Sequence, residues 1–329
     1  MTRRASLSIT MAGVAVVTLT LIHIFTGSTS LEPSQVWQVL TGSHEAPARV
    51  ARIVIDIRLV KAITALLAGA ALGVSGLEMQ TLFRNPLAGP YVLGVSAGAS
   101  LGVALMMLGG SVLGLSFILP VAAAAWIGAA AVLLLIAMAS RRVNDIMVIL
   151  VLGMMFSSGV SAVVEILQYL SHNEALKSYV VWTMGSLSDV TFPQLGVLAP
   201  AIIIGLLLGF QAVKALNLLL LGETYASTMG LNLRRARQII FSSTILLAGT
   251  VTAYCGPIGF IGLAMPHVSR MLTGTSDHRV LLPATMLVSA ATLSACDLIA
   301  RQWMLPINAI TSLIGIPVVA WIVLRNRLN

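Results

Sequence analysis

Charge is what this chain has least of. Only 9% of its 329 residues are Asp, Glu, Lys or Arg, where an average soluble domain carries about a quarter. So few charges cannot dress a water-soluble protein of this length, and intrinsic disorder is excluded because it needs low hydrophobicity and high charge. Cysteine is also scarce. Two residues, Cys255 and Cys296, and no C-x-x-C exclude a disulfide scaffold and a zinc ribbon. No Gly-Lys pair occurs anywhere, so the chain holds no ATP through a P-loop. H-E-x-x-H and G-x-G-x-x-G are missing too, and His23, His44, His172, His267 and His278 show no metal-ligand spacing. We therefore expect no catalytic residue and no metal site.

What is present is apolar. Hydrophobic residues make up 58% of the chain and the mean hydropathy is +0.98, which points to an all-α membrane protein. A spanning helix needs about 20 predominantly apolar residues. Such runs fall at roughly 9–26, 60–82, 92–109, 113–139, 146–169, 194–213, 237–255, 258–272, 280–299 and 307–324, giving about ten transmembrane helices. The eighth is short and follows Gly256-Pro257, as a half-helix or tilted segment would. Arg3 and Arg4 lead the first run and imitate a signal peptide; we expect an uncleaved span.

Loop charges set the orientation. With both termini in the cytoplasm, 13 of the 19 Lys and Arg lie inside and six outside. The net charge of +8 is then mostly topology, and no nucleic-acid partner is expected. One outer loop departs from the rule, since residues 27–61 hold Arg49, Arg52, Arg58 and Lys61 against Glu32, Glu45 and Asp56. Those cations meet an acidic partner outside the membrane, or the loop is locally neutralised.

Leu66–Gly76 reads LLAGAALGVSG and Leu246–Gly256 reads LLAGTVTAYCG, identical at five of eleven positions. The two runs fall in the second and seventh spans, five apart, so they cross in opposite directions, as in an inverted repeat. The expected organisation is one permease-like domain over 1–329, in two inverted five-helix halves of approximately 1–185 and 186–329. Small residues such as Ala68-Gly69-Ala70-Ala71 suit close packing of helix backbones.

The stretch Arg58–Ser100 contains Gln80 and the run Asn85-Pro86-Leu87-Ala88. Downstream come LLGETYASTMGL (Leu220–Leu231), GPIGFIGLAMPHVSR (Gly256–Arg270, with Pro266 and His267) and LPINAITSLIGIP (Leu305–Pro317). Together these segments resemble, in order and spacing, the permease subunits of ABC importers for iron–siderophores, haem and cobalamin, the FecCD family. The family's Arg-x-x-Arg becomes Arg58-Leu-Val-Lys61 here, without the usual proline at position 60. The resemblance implies a type II importer-like fold in the bacterial inner membrane and a homodimer. Its implied partners are two cytoplasmic ATPase subunits, which bind ATP and Mg, and a periplasmic substrate-binding protein.

By that resemblance, Arg58, Lys61 and Arg301 dock the binding protein, through opposite charge. Gly222, Glu223, Ala226 and Gly230 form a coupling segment over approximately 217–233 that lies against the ATPase. Ser158, Ser161, Glu165 and Gln168 are spaced three, four and three apart, which puts them on one helical face, and the resemblance sets that span along the translocation route. Glu165 is otherwise a hydrated carboxylate near the outer interface. Glu78 lies about 25 Å along a helix from Lys61, near the inner mouth beside Gln80, where it lines a gate, or merely snorkels or pairs with Arg84. A competing reading is a stand-alone ion- or proton-coupled transporter with Glu78 and Glu165 as proton sites. Which chelate is carried is not legible in the chain.

Overall fold

The computed structural model describes residues 3–27, 29–42, 47–109, 120–142 and 146–328, and the regular elements in them are helical. In chain order they are α1 (Arg3–Phe25), α2 (Pro33–Leu40), α3 (Ala48–Arg52), a π-helical turn (Ile53–Leu59), α4 (Val60–Leu82) and α5 (Val95–Met107). Then follow α6 (Val121–Arg142), α7 (Ile146–Leu170), α8 (Asn173–Thr183), α9 (Phe192–Leu219) and α10 (Glu223–Thr228). The chain finishes with α11 (Leu233–Cys255), α12 (Ile261–Thr273), α13 (His278–Trp303) and α14 (Ile307–Leu328).

Each apolar run read from the sequence falls on a helix. Among the described residues, five of these helices (α1, α7, α9, α11 and α13) are long and apolar enough to cross a membrane. Shorter apolar helices occupy Val95–Met107, Val121–Val132 and Ile307–Trp321. Residues 113–119 of the fourth run, and Glu45, lie outside the described residues. The thirteen residues of α12 reach only about 20 Å, short of the roughly 30 Å of hydrocarbon, so this helix starts inside the layer.

The bundle is built around α4. Every residue from Ala68 to Leu82 is buried, and α4 packs against α13, α11, α9, α12 and α1. Its small residues make that possible. A Cβ on Gly69 would lie 2.6 Å from the Ser289 carbonyl oxygen, and one on Gly76 would run into the Gly262 carbonyl. No water drives helices together in lipid, so such backbone-to-backbone seams supply the attraction.

Two stretches of non-helical backbone face each other in the interior. The first joins α4 to α5 and holds Arg84 at φ 48°; the second joins α11 to α12 and holds Phe260 at φ 65°. Backbone groups at membrane depth must be satisfied by protein. Here the Ile258 amide donates to the Tyr91 hydroxyl at 3.2 Å. Asn308 of α14 accepts from the Gly259 amide at 2.9 Å and donates to the Pro257 carbonyl at 2.6 Å.

The helices define two ends. The near end holds the start of α1, α10, and the α12–α13 turn; the far end holds Phe25, Arg58 and Arg301. At the near end Arg4 donates to the Met271 and Leu272 carbonyls, and the Ser8 hydroxyl to Leu272. These bonds satisfy carbonyls that the end of α12 leaves open.

Candidate functional site

At the far end, two cations and a histidine surround one carboxylate. Asp297 of α13, 4% exposed, accepts Lys61 Nζ at 3.2 Å on one oxygen and Arg301 Nη2 at 3.4 Å on the other. Arg301 also donates to His23 Nδ1 at 2.7 Å and to the Thr26 carbonyl at 2.8 Å. Because Nδ1 accepts from arginine, the His23 ring carries its proton on Nε2, which reaches the Ser294 carbonyl at 3.1 Å. Arg58 is 4% exposed. Its guanidinium donates to the carbonyls of Ile24, Phe25 and Thr29 at 2.6–3.0 Å, which fastens the π-helical turn to the end of α1.

The three sequence-predicted cations are thus brought together. All three line a far-end cavity of about 720 Å³ with Asp56, Ser188 and Thr191. The Nε atoms of Arg58 and Arg301 are buried without a partner. Asp297 and His23 were not legible as members of this cluster. The spacing of Asp297 and Arg301, four apart on one helix, was the one available signal; nothing local links His23 to a residue 278 positions away. Among the described residues no group of three or more His, Cys, Asp or Glu is placed to hold a metal ion, and the contacts seen here are charge pairs and hydrogen bonds.

At the near end the family-like segments bind one another. Asn85 accepts the Leu87 amide on its side chain at 2.9 Å, a local turn that carries the chain out of α4, and Ala88 is buried behind it. His267 Nε2, in the α12 turn that contains Pro266, donates to the Pro86 carbonyl at 2.7 Å. Gln80 donates to the Leu263 carbonyl at 2.9 Å and accepts from Arg270 at 2.8 Å. Glu78 faces α9 and α11 with no exposure. Its partner is the Thr244 hydroxyl at 2.7 Å rather than Arg84, and its other oxygen has no hydrogen bond.

The segment between α9 and α11 folds as a short surface helix, α10, held on both sides. Gly222 precedes it at φ 101° and Gly230 follows it at φ 87°, conformations open to glycine and strained for other residues. Ala226 is fully buried beneath the helix. Glu223 takes Arg237 Nη2 on both carboxylate oxygens, at 2.7 and 2.8 Å. Such a charge-assisted fork fixes orientation as well as distance.

Two residues before the end of α9, Asn217 does something the sequence did not announce. Its side-chain oxygen accepts both the backbone amide and Nδ1 of His278, each at 2.8 Å. Its amide donates to Asp277 at 2.7 Å. His278 Nε2 meets the Thr81 hydroxyl of α4 at 2.9 Å, and the ring is wholly buried. Asp277 lies in the turn outside the spans. The Arg279 amide and the Asn217 side chain, both donating to it, hold its carboxyl below the usual range.

The polar face of α7 stands apart from all this. Ile149, Gly153, Val160, Val164 and Leu167 turn inward, while Ser158, Ser161 and Glu165 are exposed and Gln168 is half-buried. The structure gathers these four on one side, away from the core and distant in sequence and packing from Glu78.

Comparison with known proteins places nearly the whole chain among relatives. The model of the FecCD transport family matches residues 15–325. The hemin transport system permease protein HmuU of Yersinia pestis is 36% identical over 313 residues, covering 92% of this chain and 90% of the relative. The vitamin B12 import system permease protein BtuC of Klebsiella pneumoniae is 38% identical over 282 residues, 83% and 82% of the two chains. A solved structure described as an inward-facing metal-chelate type ABC transporter superposes with a TM-score of 0.83 at 30% identity. It covers 96% of this chain and 98% of that one.

Proposed function

Because the chain belongs to the FecCD transport family, we propose that it is the membrane-spanning permease subunit of an ATP-driven importer of a metal chelate. The cargo class is iron–siderophore, haem or cobalamin, moved from periplasm to cytoplasm across the bacterial inner membrane. The near end, with both termini, faces the cytoplasm; the far end faces the periplasm. The observation that carries this reading is the match along nearly the whole chain, to permeases of haem and vitamin B12 systems.

The geometry supports a division of labour. The chain itself performs no catalysis; two partner ATPase subunits bind ATP and Mg and press on α10, whose seat is set by Gly222, Glu223, Ala226 and Gly230. A periplasmic binding protein docks at the far-end cavity, where acidic side chains meet Lys61, Arg301 and the edge of Arg58. Two copies pair through faces that include α7, and Ser158, Ser161, Glu165 and Gln168 line the route between them. Asn85–Ala88, Pro266 and His267 form the near-end floor beside Gln80. The halves 1–185 and 186–329 act as inverted repeats, a reading supported by α4 packing on α12 while α11 packs on α5.

The test is to purify the chain gently from its own membranes and then assay uptake of hemin and cyanocobalamin in vesicles. A P-loop ATPase in equal amount, with uptake that needs ATP, is the expected result. A chain that emerges alone and drives uptake on a proton gradient would instead establish a secondary transporter.

A further inference from the structure

The coupling helix has two kinds of attachment to the bundle. Through Glu223 and Arg237 it is fastened to the start of α11. Through the end of α9 it reaches Asn217, and from there His278 of α13 and Thr81 of α4. The second attachment crosses three helices in a few ångströms, between residues 60 and 197 positions apart. It is completed by buried groups whose loss would leave polar atoms unpaired in the interior.

Elsewhere α4 and α9 meet by packing, as at Gly209 against Val74 and the Glu78 carboxylate, whose Oε1 has no hydrogen bond there. Such a seam resists separation, yet nothing in it is directional, so the two helices can slide. A hydrogen-bonded clasp is different, because it weakens steeply as its angles open. The polar tie from α11 to α4, Thr244 to Glu78, lies about 10 Å deeper than Arg237, seven residues along the helix.

We propose that the Asn217–His278–Thr81 clasp makes the near end of α4 follow the coupling helix, so that displacement of α10 reaches the hub of the bundle as rigid motion. Thr81, Asn217 and His278 are then positioning residues for transport. This rests on the reading of the chain as an ATP-driven permease. The hub carries α12 with it through the Gly76–Gly262 contact and the Gln80–Arg270 bond, and α12 holds the Pro86 carbonyl through His267. One clasp thereby commits the whole near-end floor to the motion of α10.

The experiment uses the full complex with its co-purifying ATPase, in nanodiscs. Spin labels go on introduced cysteines at Leu87, just beyond α4, and Thr228 on α10, both exposed; the native Cys255 and Cys296 are buried. Labelled chains are diluted with unlabelled ones so that distances within one chain dominate. A second pair, Thr228 with the far-end Tyr169, reports whether α10 moves when vanadate traps ATP.

In the unaltered chain the Thr228–Tyr169 distance should shift by about 2–5 Å while the Thr228–Leu87 distance holds. Thr81→Val, which removes one hydroxyl, and Asn217→Ala should keep ATP hydrolysis within about twofold but let the Thr228–Leu87 distance shift by a comparable about 2–5 Å. Thr81→Ser should restore the lock, and Thr244→Val should leave it intact. A Thr228–Leu87 distance that stays fixed in Thr81→Val, or is released equally by Thr244→Val, would overturn the proposal. A Thr228–Tyr169 distance that ignores ATP would instead sink the ATP-driven reading, and this proposal with it.

Discussion

Asp297 is one carboxylate serving Lys61, Arg301 and, at 3.7 Å, His23. Removing one member of a buried charge set leaves the others uncompensated, which costs about 3–5 kcal/mol. Asp297→Ala should therefore lower the thermal midpoint of the detergent-solubilised chain sharply, whereas Asp297→Asn, which keeps shape and some hydrogen bonding, should lower it less. Equal midpoints for Asp297→Ala and the unaltered chain would show that the cluster contributes nothing. Asp277 gives a pH signature of opposite character, because it is exposed. Its folded carboxyl titrates lower than the unfolded one, so its contribution is present above the ordinary carboxylate value, about 3.9, and is lost as pH falls through the lowered one. Melting curves of Asp277→Asn should run parallel to those of the unaltered chain near neutrality and lack its extra acid-side loss. At this scale the sequence shows which charges are out of place and not what they touch. Arg58, Lys61 and Arg301 stand out as outer cations, but Arg58 proves to be spent on three backbone carbonyls, and Asp297 and His23 become visible only in space.

Secondary elements were more legible than their partners. The apolar runs fall on helices because twenty residues without charge have few alternatives in a bilayer. The short eighth run was marked by Gly256-Pro257, and α12 is indeed too short to cross. What periodicity could not supply was why the break before it is tolerated. Asn308, in a different helix 49 residues on, feeds and drains the polar backbone of 257–259. Asn308→Ala should cost about 1–3 kcal/mol for each backbone group left buried and unpaired, read as a lowered melting midpoint. The coupling helix makes a contrasting case. Six residues cannot hold a helix alone, so α10 depends on Glu223 and Arg237. Glu223 is partly exposed, which limits the pair to about 1 kcal/mol. Glu223→Gln should thus barely move the midpoint, yet reduce ATP-dependent uptake severalfold in vesicles. A variant with full uptake would show that this fork does not seat the helix.

Across the whole molecule, the gene order and the packing order disagree. The hub, α4, leaves the ribosome early, and among the described residues α1 and the π-helical turn precede it while α9, α11, α12 and α13 all follow residue 190. Until they arrive, Glu78 and Gln80 have neither Thr244 nor Arg270 to meet. An acidic side chain costs about 2.5–3.5 kcal/mol at the centre of an inserting helix on a translocon scale and less toward its end, where Glu78 lies four residues before the last residue of α4. During synthesis the most central helix thus arrives before the groups that pair its polar side chains, and it needs a waiting place in the insertion machinery or at the membrane surface. Nonsense mutations anywhere before α13 should leave products cleared by membrane proteases rather than partly functional ones, and pulse–chase decay of a chain ended at residue 190 would measure it. Assembly of this permease is completed from its last third backwards.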